Sequence, residues 1–167
     1  HSLSGKNVLL DMLTPGEFFG SLSTLGDDVY PDTAEAQTQT CVLSIHADDF
    51  RRILEEQPTV ALKVVDIMAV RLRTAQERVR QFSALTVEGR IANLLLVLSR
   101  KFGTPSDVGL LIQSPLTRDD LAAMTSTTTE TASRVMSQFQ KNGLVKTGRK
   151  WVSILDQSAL EKIADTD

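Results

Sequence analysis

Val65, Met68, Leu72, Ala75, Val79 and Phe82 follow one another at intervals of 3, 4, 3, 4 and 3. Such intervals return side chains to one side of an α-helix, and a run this long makes the narrow a/d seam of a coiled coil. A strand alternates its faces every second residue and cannot carry the pattern. The spacing therefore predicts one long helix from about Thr59 to Ser83, with Arg71, Arg73, Arg78 and Arg80 beside the seam. A single amphipathic helix packed on its own core is the plainer reading. Against it, Val64, Ile67 and Val70 make other faces apolar too. One stripe for its own domain and another for the same helix of a second chain, as a parallel homodimer, fits better.

The segments on either side read differently. Between residues 7 and 45, Val8-Leu9-Leu10, Met12-Leu13 and Val42-Leu43-Ser44-Ile45 are expected to be short strands. Breaks fall at Thr14-Pro15-Gly16, Gly20, Gly26-Asp27-Asp28 and Pro31-Asp32. From Asp48 the period turns helical through Phe50, Ile53 and Leu54 until Pro58 stops it. Past Ala84-Leu85, Thr86 is placed to cap a helix from Val87 to about Lys101, with Ile91, Leu94, Leu95 and Leu98 on its core face and Phe102-Gly103 at its end. Gly109 to Gln113 reads as a strand, and Thr117 as the cap of a short helix with Asp119 and Asp120 in its first turn.

The net charge of −3 hides an asymmetry. Residues 1–85 hold 8 Lys+Arg against 12 Asp+Glu, residues 86–151 hold 9 against 5, and residues 152–167 hold 1 against 4. A basic island between acidic flanks is the footprint of a nucleic-acid-binding domain within a larger chain. At 167 residues the chain has room for one ordinary domain or two small ones. No apolar run approaches the roughly 20 residues that span a bilayer, no secretory signal opens the chain, and Cys41 has no second cysteine to pair with. The expectation is a cytoplasmic protein with no membrane partner. Enzyme chemistry finds no support either: His1 and His46 join no nucleophile or base pairing, metal-ligand spacing is absent, and no Gly-rich phosphate loop follows a strand. No catalytic residue and no metal site are expected.

Residues 117–145 have the pattern of a helix-turn-helix. Leu121, Ala122 and Met124 form the apolar face of a short helix, and Thr125-Ser126-Thr127 make the turn. A second helix from about Thr128 to Asn142 buries Ala132, Val135, Met136 and Phe139, and the small Ala122 and Ala132 let the two cross closely. The outward face of the second helix presents Thr129, Glu130, Ser133 and Arg134 as base-contacting candidates. Glu130 and Arg134 stand one turn apart, so both can enter one major groove, the Arg toward guanine and the Glu toward cytosine. Taken alone, the same spacing also describes a surface ion pair. Gly143 ends the helix, and Leu144-Val145-Lys146 and Trp151-Val152-Ser153-Ile154 then form a hairpin wing. Arg149 and Lys150 at its tip suit phosphates, and Trp151 reads as core of the winged domain.

Taken in order, these segments resemble the cyclic-AMP receptor/fumarate-nitrate regulator (Crp/Fnr) family. The resemblance rests on Thr14-Pro15-Gly16-Glu17-Phe18-Phe19-Gly20, the long helix, Val87-Glu88-Gly89-Arg90-Ile91-Ala92 and the winged helix-turn-helix. It implies an α+β architecture: a partial, cyclic-nucleotide-binding-like β-roll at 1–58, a dimerisation helix and hinge at 59–85, and a winged helix-turn-helix domain at 86–167. The chain starts within the family's roll, so an N-terminally truncated member is expected. By resemblance Glu130 and Arg134 are the base readers, Ser133 before Arg134 gives the form of the fumarate-nitrate branch, and Arg118, Thr128, Thr131 and Lys150 stand at phosphate positions. The implied function is a transcription regulator that binds double-stranded DNA as a homodimer on an inverted repeat, with TTGA-like or TGTGA-like half-sites. RNA polymerase is the expected partner if it activates, and Ala84-Leu85 is the expected hinge. An effector-sensing and dimerisation module with only non-specific DNA binding is the alternative.

The family's effector residues are not reproduced. Ser21 stands where cyclic-AMP binders have a Glu, and residues 30–34, Tyr-Pro-Asp-Thr-Ala, hold no cation for a cyclic phosphate. Ala75-Gln76 replace the Thr-Ser pair that meets adenine. Asp32 would repel the phosphate. Cys41 alone cannot hold an iron–sulfur cluster. The expectation is no cofactor, cyclic AMP included, and an effector left unidentified.

Overall fold

The computed structural model describes residues 8–20, 30, 32–113 and 116–165. Ser21, Pro31 and the turn expected at Gly26-Asp27-Asp28 lie outside them. The described residues form α1 (Ala47–Glu56), α2 (Pro58–Ala84), α3 (Val87–Phe102), β1 (Gly103–Ser106), β2 (Gly109–Ile112), α4 (Arg118–Thr125), α5 (Thr129–Lys141), β3 (Val145–Gly148), β4 (Trp151–Ile154) and α6 (Gln157–Ala164). The chain divides into two compact units, one of Gly16–Arg78 and one of His1–Pro15 with Val79–Asp167.

In the first unit, His46 precedes α1, and Asp48 and Asp49 sit in its first turn, where the helix dipole favours negative charge. Arg52 pairs with Asp49 at 2.8 Å. Pro58 is the first residue of α2, where its missing N–H costs nothing and its fixed φ suits the helix. The Arg71 guanidinium lies 4.2 Å from the centroid of the Phe18 ring and donates to the Phe18 carbonyl oxygen, which ties Phe18 to α2. No residue of α1 or α2 is fully buried.

The strands expected at Val8-Leu9-Leu10, Met12-Leu13 and Val42-Leu43-Ser44-Ile45 do not form. A strand exists only where its N–H and C=O groups find a neighbouring strand. Among the described residues before α1 no such ladder is present, and Val42, Leu43 and Ile45 are exposed.

The core lies in the second unit. Ile91, Ala92, Leu95, Leu121, Ala132, Met136 and Leu160 are 0% exposed, and Phe139 is 2% exposed. Emptying the Phe139 site with alanine would cost about 3–5 kcal/mol. Helix α3 packs on α6, and α4 on α5. The antiparallel sheet runs β1-β2-β4-β3, with Leu110 opposite Ile154 and Thr147 opposite Val152. Strand β1 and helix α6 were not read from the sequence. The motif at 87–92 now has a physical basis: Ile91 and Ala92 fill the core, and a Cβ on Gly89 would stand 3.2 Å from the Ile163 carbonyl oxygen, so glycine lets α6 approach. On the other side of α3, Lys101 donates to the Met12 carbonyl and lies 3.5 Å from Asp11, and Met12 packs against the core.

Candidate nucleic-acid interface

Helix α4 is fixed at its start by a capping box: the Thr117 hydroxyl accepts from the Asp120 N–H, while the Asp120 carboxylate accepts from the Thr117 N–H at 2.8 Å. It ends at Ser126, in the left-handed region at φ 50. The turn expected at 125–127 is therefore shorter, because Thr125 still belongs to α4 and donates its hydroxyl back to the Leu121 carbonyl at 2.6 Å. Thr128 then caps α5, accepting from the Thr131 N–H. Helix α5 buries Ala132, Val135, Met136 and Phe139, as the spacing predicted, and this fixes which face is left outward.

That outward face carries the quartet. Thr129, Glu130 and Arg134 are exposed and Ser133 is half-buried. No ion pair or hydrogen bond joins Glu130 to Arg134, so the structure gives the surface-pair reading no support. Farther along the helix a shallow depression is lined by Arg134, Ser137, Gln138, Lys141 and Asn142. Thr129 differs from its neighbours: its hydroxyl donates to the Asp119 carboxylate at 2.5 Å.

The phosphate candidates are less alike. Arg118, first residue of α4, is half-buried, and burial pushes its guanidinium below the usual value. The Thr128 hydroxyl is spent on the helix: it caps α5 and donates to the Thr131 hydroxyl at 2.9 Å. Arg149 and Lys150 are exposed at the tip of the β3–β4 hairpin. Lys150 takes a positive φ of 65, and Gly148 must be glycine, since a Cβ there would stand 2.3 Å from the Trp151 ring. Trp151 is half-buried against its own hairpin.

Arg90, absent from the sequence-derived site, links three pieces of the second unit. Its Nε donates to the Thr125 carbonyl and its Nη1 to the Leu85 carbonyl, each at 2.9 Å, and its guanidinium lies 5.8 Å from the Phe82 ring centroid. The junction expected as a hinge is thus bridged to the end of α4. A lone charge between Gly89 and Ile91 is the signal the sequence offers for it. Of the seam residues, Val65 (62%), Leu72 (61%), Val79 (66%) and Phe82 (43%) are exposed, as is Ala75, while Met68 is half-buried. Among the described residues no group of His, Cys, Asp or Glu could hold a metal ion, and no helix is long and apolar enough to cross a membrane.

Comparison with known proteins adds two family matches. A Crp-like helix-turn-helix domain matches residues 89–163, and a cyclic nucleotide-binding domain matches residues 1–57. A cyclic AMP receptor protein of Thermus thermophilus is 32% identical over 97% of this chain and 72% of its own length. A CRP-like cAMP-activated global transcriptional regulator of Mycobacterium tuberculosis is 26% identical over 96% of this chain and 71% of its own length. Among solved structures, a CooA mutant from Carboxydothermus hydrogenoformans superposes with a TM-score of 0.66 at 20% identity, over 71% of this chain. That match spans 55% of the CooA chain.

Proposed function

The chain belongs to the Crp/Fnr family of transcription regulators, and from that premise we propose that two copies pair through α2 and read an inverted repeat in double-stranded DNA. The observation that carries this reading is α5 itself: a capped helix whose exposed side presents Glu130 and Arg134 with no ion pair between them. Arg134 meets guanine O6 and N7, and Glu130 accepts from the N4 amine of the opposing cytosine. Thr129 and Ser133 complete the base-contacting set. Arg118, Thr131, Arg149 and Lys150 hold phosphates, with Thr128 contributing through its backbone, its hydroxyl being engaged in the cap. Paired α2 helices place the two α5 helices about one DNA turn, roughly 34 Å, apart. The division at residues 58 and 85 into partial roll, dimer helix and winged domain belongs to the same reading, as do a cytoplasmic setting and RNA polymerase as partner.

The effector is not cyclic AMP. The described residues at the phosphate position do not fit a cyclic phosphate: Asp32 is an exposed carboxylate, Tyr30 and residues 32–34 offer no cation, and the Arg71 guanidinium is engaged by Phe18. Calorimetry with cyclic AMP is expected to give no heat, and tight binding would refute the point.

Selection of bound sequences from a random duplex pool tests the whole reading. Enrichment of an inverted repeat with half-site centres one helical turn apart is expected; a pool that stays random at physiological salt would overturn it.

A further inference from the structure

The sequence treats Thr129 as one more contact on the outward face of α5, but the structure gives its proton to Asp119 across the helix-turn-helix. Both residues are exposed, and Thr129 is followed directly by Glu130. We propose that Asp119 is a specificity-determining positioning residue: by taking the Thr129 proton it leaves that hydroxyl to act as an acceptor, so each half-site favours an amino-bearing base, adenine or cytosine, at the position Thr129 meets.

The argument is donor and acceptor arithmetic. A threonine hydroxyl has one proton and two lone pairs, so alone it rotates to suit either a donor or an acceptor. Hydrogen bonds to a carboxylate are short and about twice as strong as neutral ones, which fits the 2.5 Å separation. With the proton held by Asp119, the oxygen has only lone pairs left. In the major groove, adenine N6 and cytosine N4 donate, whereas guanine O6 and thymine O4 only accept. The adjacent carboxylate acts in the same sense, attracting an exocyclic amine and repelling a keto oxygen. The carboxylate also sits beside the first turn of α5, whose free N–H groups favour negative charge, so it is stable where it stands. Its cost falls on DNA: a negative charge on a face that approaches phosphates weakens binding to every sequence.

This inference rests on the DNA-reading function proposed above, and one experiment separates the two. Random-pool selection is run on the wild-type chain and on Asp119→Ala, Asp119→Asn and Thr129→Val, each checked for folding by circular dichroism. The wild type is expected to show one half-site position, distinct from the one relaxed by Arg134→Ala, where adenine and cytosine outnumber guanine and thymine by about two- to tenfold, the worth of one hydrogen bond. Asp119→Ala and Thr129→Val are each expected to erase that preference. Asp119→Asn offers an amide that can accept from or donate to Thr129, so it is expected to weaken the preference without erasing it while binding all duplexes more tightly. An Asp119→Ala pool identical to the wild-type pool overturns the inference, as does a preference that survives Thr129→Val. A wild-type pool with no enriched sequence overturns the DNA-reading function itself and is recognised before any variant is compared.

Discussion

Lys150 holds a left-handed backbone at φ 65, a conformation that costs a non-glycine residue on the order of 1 kcal/mol, at the tip of an exposed hairpin. A lysine at a strained, solvated position points to a task outside the fold. Lys150→Gly is expected to stabilise the wing in thermal melts while weakening DNA binding alike on specific and random duplexes and lowering the salt slope. Arg134→Ala is expected to behave otherwise, costing about 1–3 kcal/mol on the specific site and relaxing preference at one base pair. Equal losses for Arg134→Ala on specific and random duplexes would show that it reads no base. The sequence was enough to place both residues. It did not reveal that Thr129 is engaged by Asp119, because a bond between residues ten positions apart depends on how α4 and α5 cross.

At the scale of elements, the caps and the bridge decide more than propensity. Each helix of the winged region from α3 to α6 opens on a side chain that accepts from its first turn: Thr86, Thr117, Thr128 and Asp156. Thr117→Ala is expected to destabilise by about 1 kcal/mol in chemical denaturation. At α6 the Ala159 N–H, with help from the Ser158 hydroxyl, holds the Asp156 carboxyl below the usual carboxylate range. The folded value lies under the unfolded one, so this contribution is whole above the ordinary carboxylate range and fades as pH falls through the folded value. Asp156→Ala is therefore expected to lower the thermal midpoint at neutral pH and to match the parent in strong acid. Arg90 joins elements instead of starting one. Arg90→Ala strips a donor from the Leu85 and Thr125 carbonyls and is expected to cost about 1–3 kcal/mol, with Arg90→Lys recovering only part, since an ammonium lacks the planar fork that reaches both.

At the scale of the whole molecule, the exposed stripe along α2 is the feature that a single chain leaves open. Val65, Leu72 and Val79 each stand more than half exposed on a helix with no fully buried residue. Apolar side chains repeated at coiled-coil spacing and uncovered within the chain call for a second helix. Leu72→Arg is expected to shift the mass from dimer to monomer in light scattering, and an unchanged mass would remove α2 as the interface.

Spacing along the chain by itself determined helices α1 to α5, the caps at Thr86 and Thr117 and the buried face of α5, since these depend on residues three and four apart and on one hydroxyl at each start. It also set the family, through local motifs in a fixed order. Tertiary structure alone decided the rest. The strands expected before α1 did not form, because a strand's hydrogen bonds are made by a neighbour that no local pattern can supply. Arg90 became a bridge and Asp119 a partner of Thr129 for the same reason: their bonds close only when distant segments pack.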